Sequence, residues 1–251
     1  MFQFRIITYN IHKGIGGVDR RYRPERIAET LRYYQPDIVL MQEVDDGVPR
    51  SRGHRQVDLL GDALELKYRA YQRNVTLRRG HYGNAMLSRY PLFDIGDIEL
   101  KIPLKKRRQA HFAHCRLHLN QHSRTLLIVN THLGLAGFER QIQLRRILSS
   151  ELFAHAHRET PLILGGDFND VWGTLGAKLL EPAGLKPAGG LLKTFPAALP
   201  MRPLDRIYYR GDLAVEHCFA ARLHLAREAS DHLPLIADFE LAENSALSGT
   251  R

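Results

Sequence analysis

Again and again in this 251-residue chain, an apolar run of strand character stops on a polar residue suited to chemistry. Phe2, Phe4 and Ile6 alternate before Thr8-Tyr9-Asn10, and Ile38-Val39-Leu40-Met41 runs into Gln42-Glu43. Leu126 to Thr131 ends in His132, and Leu162-Ile163-Leu164 ends in Gly165-Gly166-Asp167-Phe168-Asn169. Ser230-Asp231-His232 stands just before a last apolar run, Leu235 to Phe239. Alternation marks half-buried strands, and short continuous apolar runs mark strands covered on both faces. Any one polar ending is ordinary. Together they point to packed sheets whose strands finish along one edge, a usual place for a site built from several strands.

The segments between supply covering helices. Pro24 to Tyr34 opens on proline and carries Ile27, Ala28 and Leu31 at helical spacing. Residues 56–66 and 138–156 are expected to be helical, the second with Phe138, Ile142, Leu148, Leu152 and Ala156 on its apolar face. Further strands are expected at 68–74, 84–89, 92–100, 111–119, 205–209 and 213–219. No repeat and no Gly/Ser/Pro linker divides the chain, so a single domain over 1–241 is expected, with 242–251 as a flexible tail.

Lysine and arginine number 36 against 27 acidic residues, a formal net charge of +9. Most of the basic residues are arginine, which pairs bidentately with phosphate. A phosphate-bearing substrate is one reading; the other is that the charge follows composition and keeps the protein soluble. Composition alone does not choose between them. No apolar run approaches the ~20 residues that span a bilayer, and the N-terminus reads as a strand, not a signal peptide. Cys115 and Cys218 form no pattern, which points to a reducing compartment, so a cytoplasmic location is expected. No protein partner is implied, and a monomer is expected. A hydrophobic content of 44% with 25% charged residues excludes disorder, collagen and coiled coil.

Glu43, Asp167 and Asp231 supply carboxylates, and Asn10 and Asn169 supply amide oxygens. Hard oxygen donors suit Mg²⁺, Mn²⁺ or Ca²⁺, whereas the scattered cysteines exclude a thiolate zinc site. The chain has no Gly-x-Ser-x-Gly elbow, no phosphate-binding Gly-Lys-Ser/Thr loop and no dinucleotide fingerprint. A divalent metal with His132 and His232 nearby points to hydrolysis of a phosphate ester, the metal neutralising phosphate charge and a histidine activating water.

Taken in order, these segments resemble the endonuclease/exonuclease/phosphatase superfamily, with its DNase I-like fold. The resemblance rests on Thr8 to Gly14, Pro36 to Val44, Tyr82 to Arg89, Asn130-Thr131-His132-Leu133, Gly165 to Asn169, Leu204-Asp205-Arg206-Ile207-Tyr208 and Ser230 to Leu235. It covers residues 4–239 and extends to a bacterial branch of uncharacterised members that also carries Thr-Phe-Pro, here Thr194-Phe195-Pro196. It implies an α/β (α+β) fold, a four-layer α/β/β/α sandwich with the site in a cleft at one rim.

By the same resemblance Asn10 and Glu43, joined by Asp231, would hold Mg²⁺ or Mn²⁺. Asp167 and Asn169 would orient the attacking water and the phosphate. Asp205 would hold His232 in the tautomer that lets it act as base, with Asp167 as the alternative base, and His132 would assist at a phosphate oxygen or the leaving group. His12, Lys13 and Asn84 are candidate substrate contacts, against plain surface exposure for the first two and a turn asparagine for the third. Asp170 is read as a helix N-cap before Val171-Trp172, Trp172 as a packing residue, and Lys105-Lys106-Arg107-Arg108 as a solvated loop. The activity implied is phosphodiester hydrolysis, with nucleic acid modestly favoured by charge and a phospholipid, sphingomyelin-type or inositol-phosphate substrate as the alternative. The segment Tyr9 to Gly14 departs from the Trp-Asn-Val-Asn-Gly form of abasic-site endonucleases and argues against that activity. A non-catalytic binding protein on this scaffold would be expected to lose Glu43, Asp167 or His232, and all three are present.

Overall fold

The computed structural model describes residues 1–119, 122–156 and 160–242. The expected tail lies, beyond Ala242, outside the described residues. The strands are β1 (Phe2–Asn10), β2 (Ile38–Asp46), β3 (Tyr68–Thr76), β4 (His81–Ser88), β5 (Leu92–Glu99), β6 (Gln109–Leu119), β7 (His122–His132), β8 (Leu162–Asp167), β9 (Lys186–Pro187), β10 (Asp205–Arg210), β11 (Leu213–Ala220) and β12 (Leu235–Leu241). The helices are α1 (Pro24–Tyr34), α2 (Gln56–Ala63), α3 (Gly137–Leu148), α4 (Glu151–His155) and α5 (His224–Ala229).

The strands form two mixed six-stranded sheets, in the orders β11-β12-β1-β2-β4-β3 and β5-β6-β7-β8-β10-β9. Each is built around one parallel pair, β1 with β2 and β7 with β8. Apolar positions of period two fill the space between the sheets: Phe4, Ile6, Ile38, Leu40 and Met86 from the first meet Cys115, Ile128, Ile163 and Ile207 from the second. The other face of the first sheet carries Ile7, Val39 and Met41 under Ile27 and Leu31 of α1, Leu60 of α2 and Ala226 of α5. The other face of the second carries Val129 and Leu164 under Leu144 and Ile147 of α3 and Phe153 of α4. The molecule is therefore a four-layer α/β/β/α sandwich, as the resemblance implied.

Burying one such side chain is worth roughly 1.5–3 kcal/mol, which holds register. On β6, Ala113, Cys115 and Leu117 are fully buried while Arg116 and His118 are exposed, so a one-residue slip would exchange them. Two helices differ from expectation. α2 stops at Ala63 because Glu65 turns left-handed (φ 57°) and the Leu66 N–H donates back to the Gly61 carbonyl at 3.0 Å. The helix expected over 138–156 is two helices, α3 and α4. At the break, the Ser149 and Ser150 hydroxyls donate to the Arg146 and Ile147 carbonyls and Ser150 adopts an extended backbone. The short α5 and the helical turn Gly176–Leu180 have no counterpart in the sequence reading.

Candidate active site

The same alternation that fills the core decides what reaches the rim. Two residues along from Ile128, Ile163 and Ile207, on the same faces, lie Asn130, Gly165 and Asp205; another step brings His132 on β7 and Asp167 on β8. Cross-strand register sets His132 opposite Asp167 and Asp167 opposite Asp205. On the facing sheet, Asn10 at the end of β1 pairs in register with Gln42 of β2.

A buried polar floor lies just beneath. Gln42 Nε2 donates to Thr8 Oγ1 (3.0 Å) and Asn130 Oδ1 (2.8 Å), and Asn130 Nδ2 donates across to the Met41 and Ala85 carbonyls. These bonds tie the sheets together where apolar packing gives way to the site. Alongside, Asn84 Nδ2 donates to Gln72 Oε1 (2.9 Å), Gln72 Nε2 to Asp97 Oδ1 (2.8 Å), and His111 Nδ1 lies 2.8 Å from the same oxygen.

Glu43 reaches the rim by a bulge. The β2–β4 pairing jumps from Met41↔Ala85 to Val44↔Gly83, and Glu43 takes a left-handed backbone, φ 58°. In a regular strand Glu43 would share the face of Met41, beneath the helices; the extra residue re-aims it. Lys13, itself left-handed in the turn His12–Gly14, donates its ammonium to Glu43 Oε2.

Asp167 is the hub. It accepts from Asn10 Nδ2 at 3.0 Å and from the Asn169 N–H at 2.9 Å, and lies 3.4 Å from His132 Nε2 and 3.7 Å from His232 Nε2. His232 Nδ1 is 2.8 Å from Asp205 Oδ2. The Asp231–His232 segment is pinned to β1 by Ser230, whose hydroxyl donates to the Asn10 carbonyl (2.7 Å) and accepts from the His232 N–H (3.2 Å). Phe195 lies against the imidazole, ring centres 4.9 Å apart. Asp231 Oδ2 is 3.9 Å from His12 Nε2, and the Asn169 side chain donates to the Leu133 carbonyl at 3.0 Å.

Asp167 and Asp205 are both fully buried and share one imidazole. Burial alone would push that imidazole down, but the charges of Asp205 and then Asp167 more than reverse this and raise its pKa to about 10. One imidazolium does not offset two carboxylates in a low-dielectric site, so burial pushes the Asp167 carboxyl up. Burial also pushes the Glu43 carboxyl up, but positive neighbours hold it below the ordinary carboxylate range. His132 is kept neutral by burial, with Arg108 adding to the effect, so the Lys13 ammonium is the neighbour that counts for Glu43. A surplus of buried carboxylate, an Asp205 Oδ1 without a hydrogen bond and an oxygen-rich donor set are the features a hard divalent cation requires.

Among the described residues, the compact group of metal-capable side chains is Asp167, Asp205 and His232, with ligand atoms within 4.8 Å of one another. These are residues expected to move protons and orient water, not to ligate. Asn10 and Asp231 border this group through the Asp167 and Ser230 contacts, and Glu43 faces it from β2 of the first sheet, beside Lys13. Asn84 sits one pleat below the rim, buried in the Gln72–Asp97 chain. Trp172 does not pack: it is 79% exposed on the turn after Asn169. Asp170 instead accepts from the Leu175 N–H at 2.9 Å, holding the later turn. Arg108 is not solvated; it is 6% exposed beside the rim. Ser230, Phe195 and Tyr82 lie within motifs that the sequence offers, but the sequence reading gives them no role. Tyr82 had a signal, since it alternates with Asn84 and Met86 on one face of β4.

A two-sheet sandwich with this rim defines a class of phosphoesterase scaffolds, and comparison places the chain within it. Residues 7–232 match the Endonuclease/Exonuclease/phosphatase family, and the chain belongs to that family. Its members are hydrolytic phosphoesterases, generally dependent on a divalent metal. The chain is 31% identical over 252 residues to the uncharacterised protein YbhP of Escherichia coli (strain K12), covering 96% of this chain and 97% of that one. It superposes on the endonuclease/exonuclease/phosphatase of Beutenbergia cavernae DSM 12333 with TM-score 0.78 at 21% identity, over 96% of this chain and 72% of that one. The mannosyl-6-phosphatase of Bacteroides thetaiotaomicron VPI-5482 shares the fold with TM-score 0.70 at 17% identity, over 95% and 100% of the two chains.

Proposed function

We propose that this protein is a divalent-metal-dependent phosphoesterase that hydrolyses phosphodiester bonds by in-line attack of water, with nucleic acid the favoured substrate. The observation that carries the reading is the buried line Asp205–His232–Asp167 at a rim shared with Asn10 and His132. Asn10, Glu43 and Asp231 would hold Mg²⁺ or Mn²⁺. The cation would neutralise charge on the phosphate oxygens.

The chain's own groups do the rest. Asp205 fixes the proton on His232 Nδ1 and leaves Nε2 to take one from the attacking water. Held charged by Asp205 and Asp167 in the metal-free protein, His232 becomes a base only once part of that carboxylate charge is neutralised. Asp167 and Asn169 orient the water and the phosphate, and neutral His132 faces a phosphate oxygen or the leaving group. The ester P–O bond breaks as the water oxygen joins phosphorus, and the departing oxygen takes up a proton. His12 and Lys13 would contact substrate, as would Asn84 through the floor of the cleft. The reading goes with a monomeric, cytoplasmic enzyme in one domain over 1–241; no helix among the described residues is long and apolar enough to cross a membrane.

The test is turnover of a bis-aryl phosphate against a mono-aryl phosphate with Mg²⁺, Mn²⁺ or EDTA, then a panel of DNA, RNA, inositol phosphates and phospholipids. Glu43→Ala and His232→Ala are expected to lower metal-dependent diester turnover ~10²–10⁴-fold, the usual worth of a positioned acid or base. Full activity in either variant would sink the proposal. A second reading, a lipid-headgroup phosphoester, has one supporting observation: Leu135, Phe138, Trp172 and Leu191 stand exposed on segments that adjoin the site strands.

A further inference from the structure

Beside the Glu43 end of the cleft, four cations gather round one tyrosine. Lys106 Nζ lies 4.7 Å from the centre of the Tyr82 ring, Lys13 Nζ 5.7 Å and the Arg50 guanidinium carbon 5.6 Å. Arg108 completes the group. It directly precedes β6, whose Ala110 pairs with Thr131, and its charge acts on Tyr82, Lys106 and His132. Two of the four are matched: Lys13 by Glu43, and Arg50 by the buried Asp45 through a bidentate pair at 2.7 and 2.8 Å. The other two are not. Among the described residues no carboxylate lies within ion-pair distance of Lys106 or Arg108.

Arg108 is the decisive side chain. It is more than nine-tenths buried, its Nε has no hydrogen-bond partner, and its guanidinium bonds to no described residue. A buried charge without an acidic partner is destabilising, and crowding it against Lys106 adds repulsion. Burial, and after it the Arg108 charge, hold the Lys106 ammonium below its ordinary range. The fold tolerates this arrangement beside a phosphoester site, and an arginine fork with an ammonium alongside is the donor set that takes a phosphate dianion.

We infer that Lys106 and Arg108, walled by Tyr82, Arg50 and Lys13, form a subsite for a second phosphate group carried next to the scissile phosphoester. The inference rests on the proposed phosphoesterase reading and narrows it: the substrate is a phosphodiester bearing a neighbouring phosphate. Lys13, which pairs with Glu43 of the catalytic rim, is also a wall of this subsite, so the two phosphates lie side by side, not at opposite ends of a long ligand.

The test has a binding arm and a turnover arm. Inorganic phosphate is titrated into the metal-free protein, in EDTA, by calorimetry. Lys106→Gln and Arg108→Gln are each expected to weaken binding about tenfold or more, the worth of one charge-assisted contact; Arg116→Gln, far along β6, should leave it unchanged. Equal binding by wild type and both variants overturns the inference. Lys106 is exposed, so its variant reads the subsite even where Arg108→Gln folds poorly. In the turnover arm, a dinucleotide with a 5′-phosphate is compared with the same dinucleotide without it, and an inositol phosphodiester with a neighbouring ring phosphate with its unphosphorylated form. The expected result is a lower KM for the phosphorylated member of at least one pair, the responding pair naming the source of the phosphate. That difference should vanish in Lys106→Gln while bis-aryl phosphate turnover stays at the wild-type rate. No KM preference in either pair, or equal loss of bis-aryl turnover, overturns the inference. If no phosphoester is turned over at all, the catalytic reading fails, and the binding arm still decides whether the phosphate pocket exists.

Discussion

His232 sits between two buried carboxylates, Asp205 and Asp167, and the consequences can be read without substrate. Its pKa is raised in the fold to about 10, against about 6.5 for an unperturbed histidine. A group whose folded pKa lies above its unfolded value stabilises the fold fully below the unfolded pKa and loses that contribution as pH rises to the folded one. The metal-free protein should therefore lose stability between about pH 6.5 and 10 on account of this residue. Asp167, whose carboxyl is also raised, acts at lower pH, from the ordinary aspartate range up to about 6, so the two windows separate. Asp205→Asn removes the main charge that holds the imidazolium. Its urea midpoint, measured in EDTA at pH 6, 8 and 9.5, should fall less across the series than that of wild type. Parallel slopes in the two proteins would mean that Asp205 does not hold His232 charged.

At the level of strands, the site depends on β7, β8 and β10 keeping His132, Asp167 and Asp205 abreast. Gly166 makes that possible. Its φ of 147° is a conformation that L side chains rarely adopt, and a Cβ there would stand 1.9 Å from the Thr131 carbonyl oxygen. Gly166→Ala must push β8 away from β7 next to the hub residue. We expect a cost of ~1–3 kcal/mol in denaturant-derived stability, the usual range for overpacking, together with loss of diester turnover; a wild-type midpoint would contradict this account of the motif. The sequence announces such strand ends because period-two alternation and turn-forming glycines are local signals. It does not announce the bulge that aims Glu43, because a register slip depends on the partner strand β4. It hides Arg108 for the same reason: within Lys105-Lys106-Arg107-Arg108 nothing distinguishes the buried arginine from its neighbours, and only packing from other strands buries it. Trp172 faces solvent, and the sequence does not show it, because an aromatic in a short turn has no periodicity to say which way it faces. The break between α3 and α4 was masked by apolar spacing that continues through two serines.

Across the whole molecule, the +9 charge acquires a location. Part of that excess stands at the cleft, where Lys106 and Arg108 lack acidic partners, whereas other basic residues are offset by surface pairs, as Arg69 is by Asp62 and Arg107 by Glu99. A nucleic acid held at the scissile phosphate and at one neighbour would displace counterions at about two phosphates. Over a fourfold rise in salt this predicts an increase in KM of roughly tenfold. The exposed apolar side chains at Leu135, Phe138, Trp172 and Leu191 make the opposite prediction if they meet lipid, because burial in a bilayer is insensitive to salt and is lost on truncation. The decisive comparison is KM for a short oligonucleotide from 50 to 200 mM KCl, beside co-sedimentation of wild type and Phe138→Ala/Trp172→Ala with vesicles of anionic phospholipid. With nucleic acid as substrate, KM climbs with salt and the double variant changes vesicle binding little. A salt-independent KM, with vesicle binding that disappears in the double variant, would transfer the activity to a lipid headgroup and leave the catalytic rim as described.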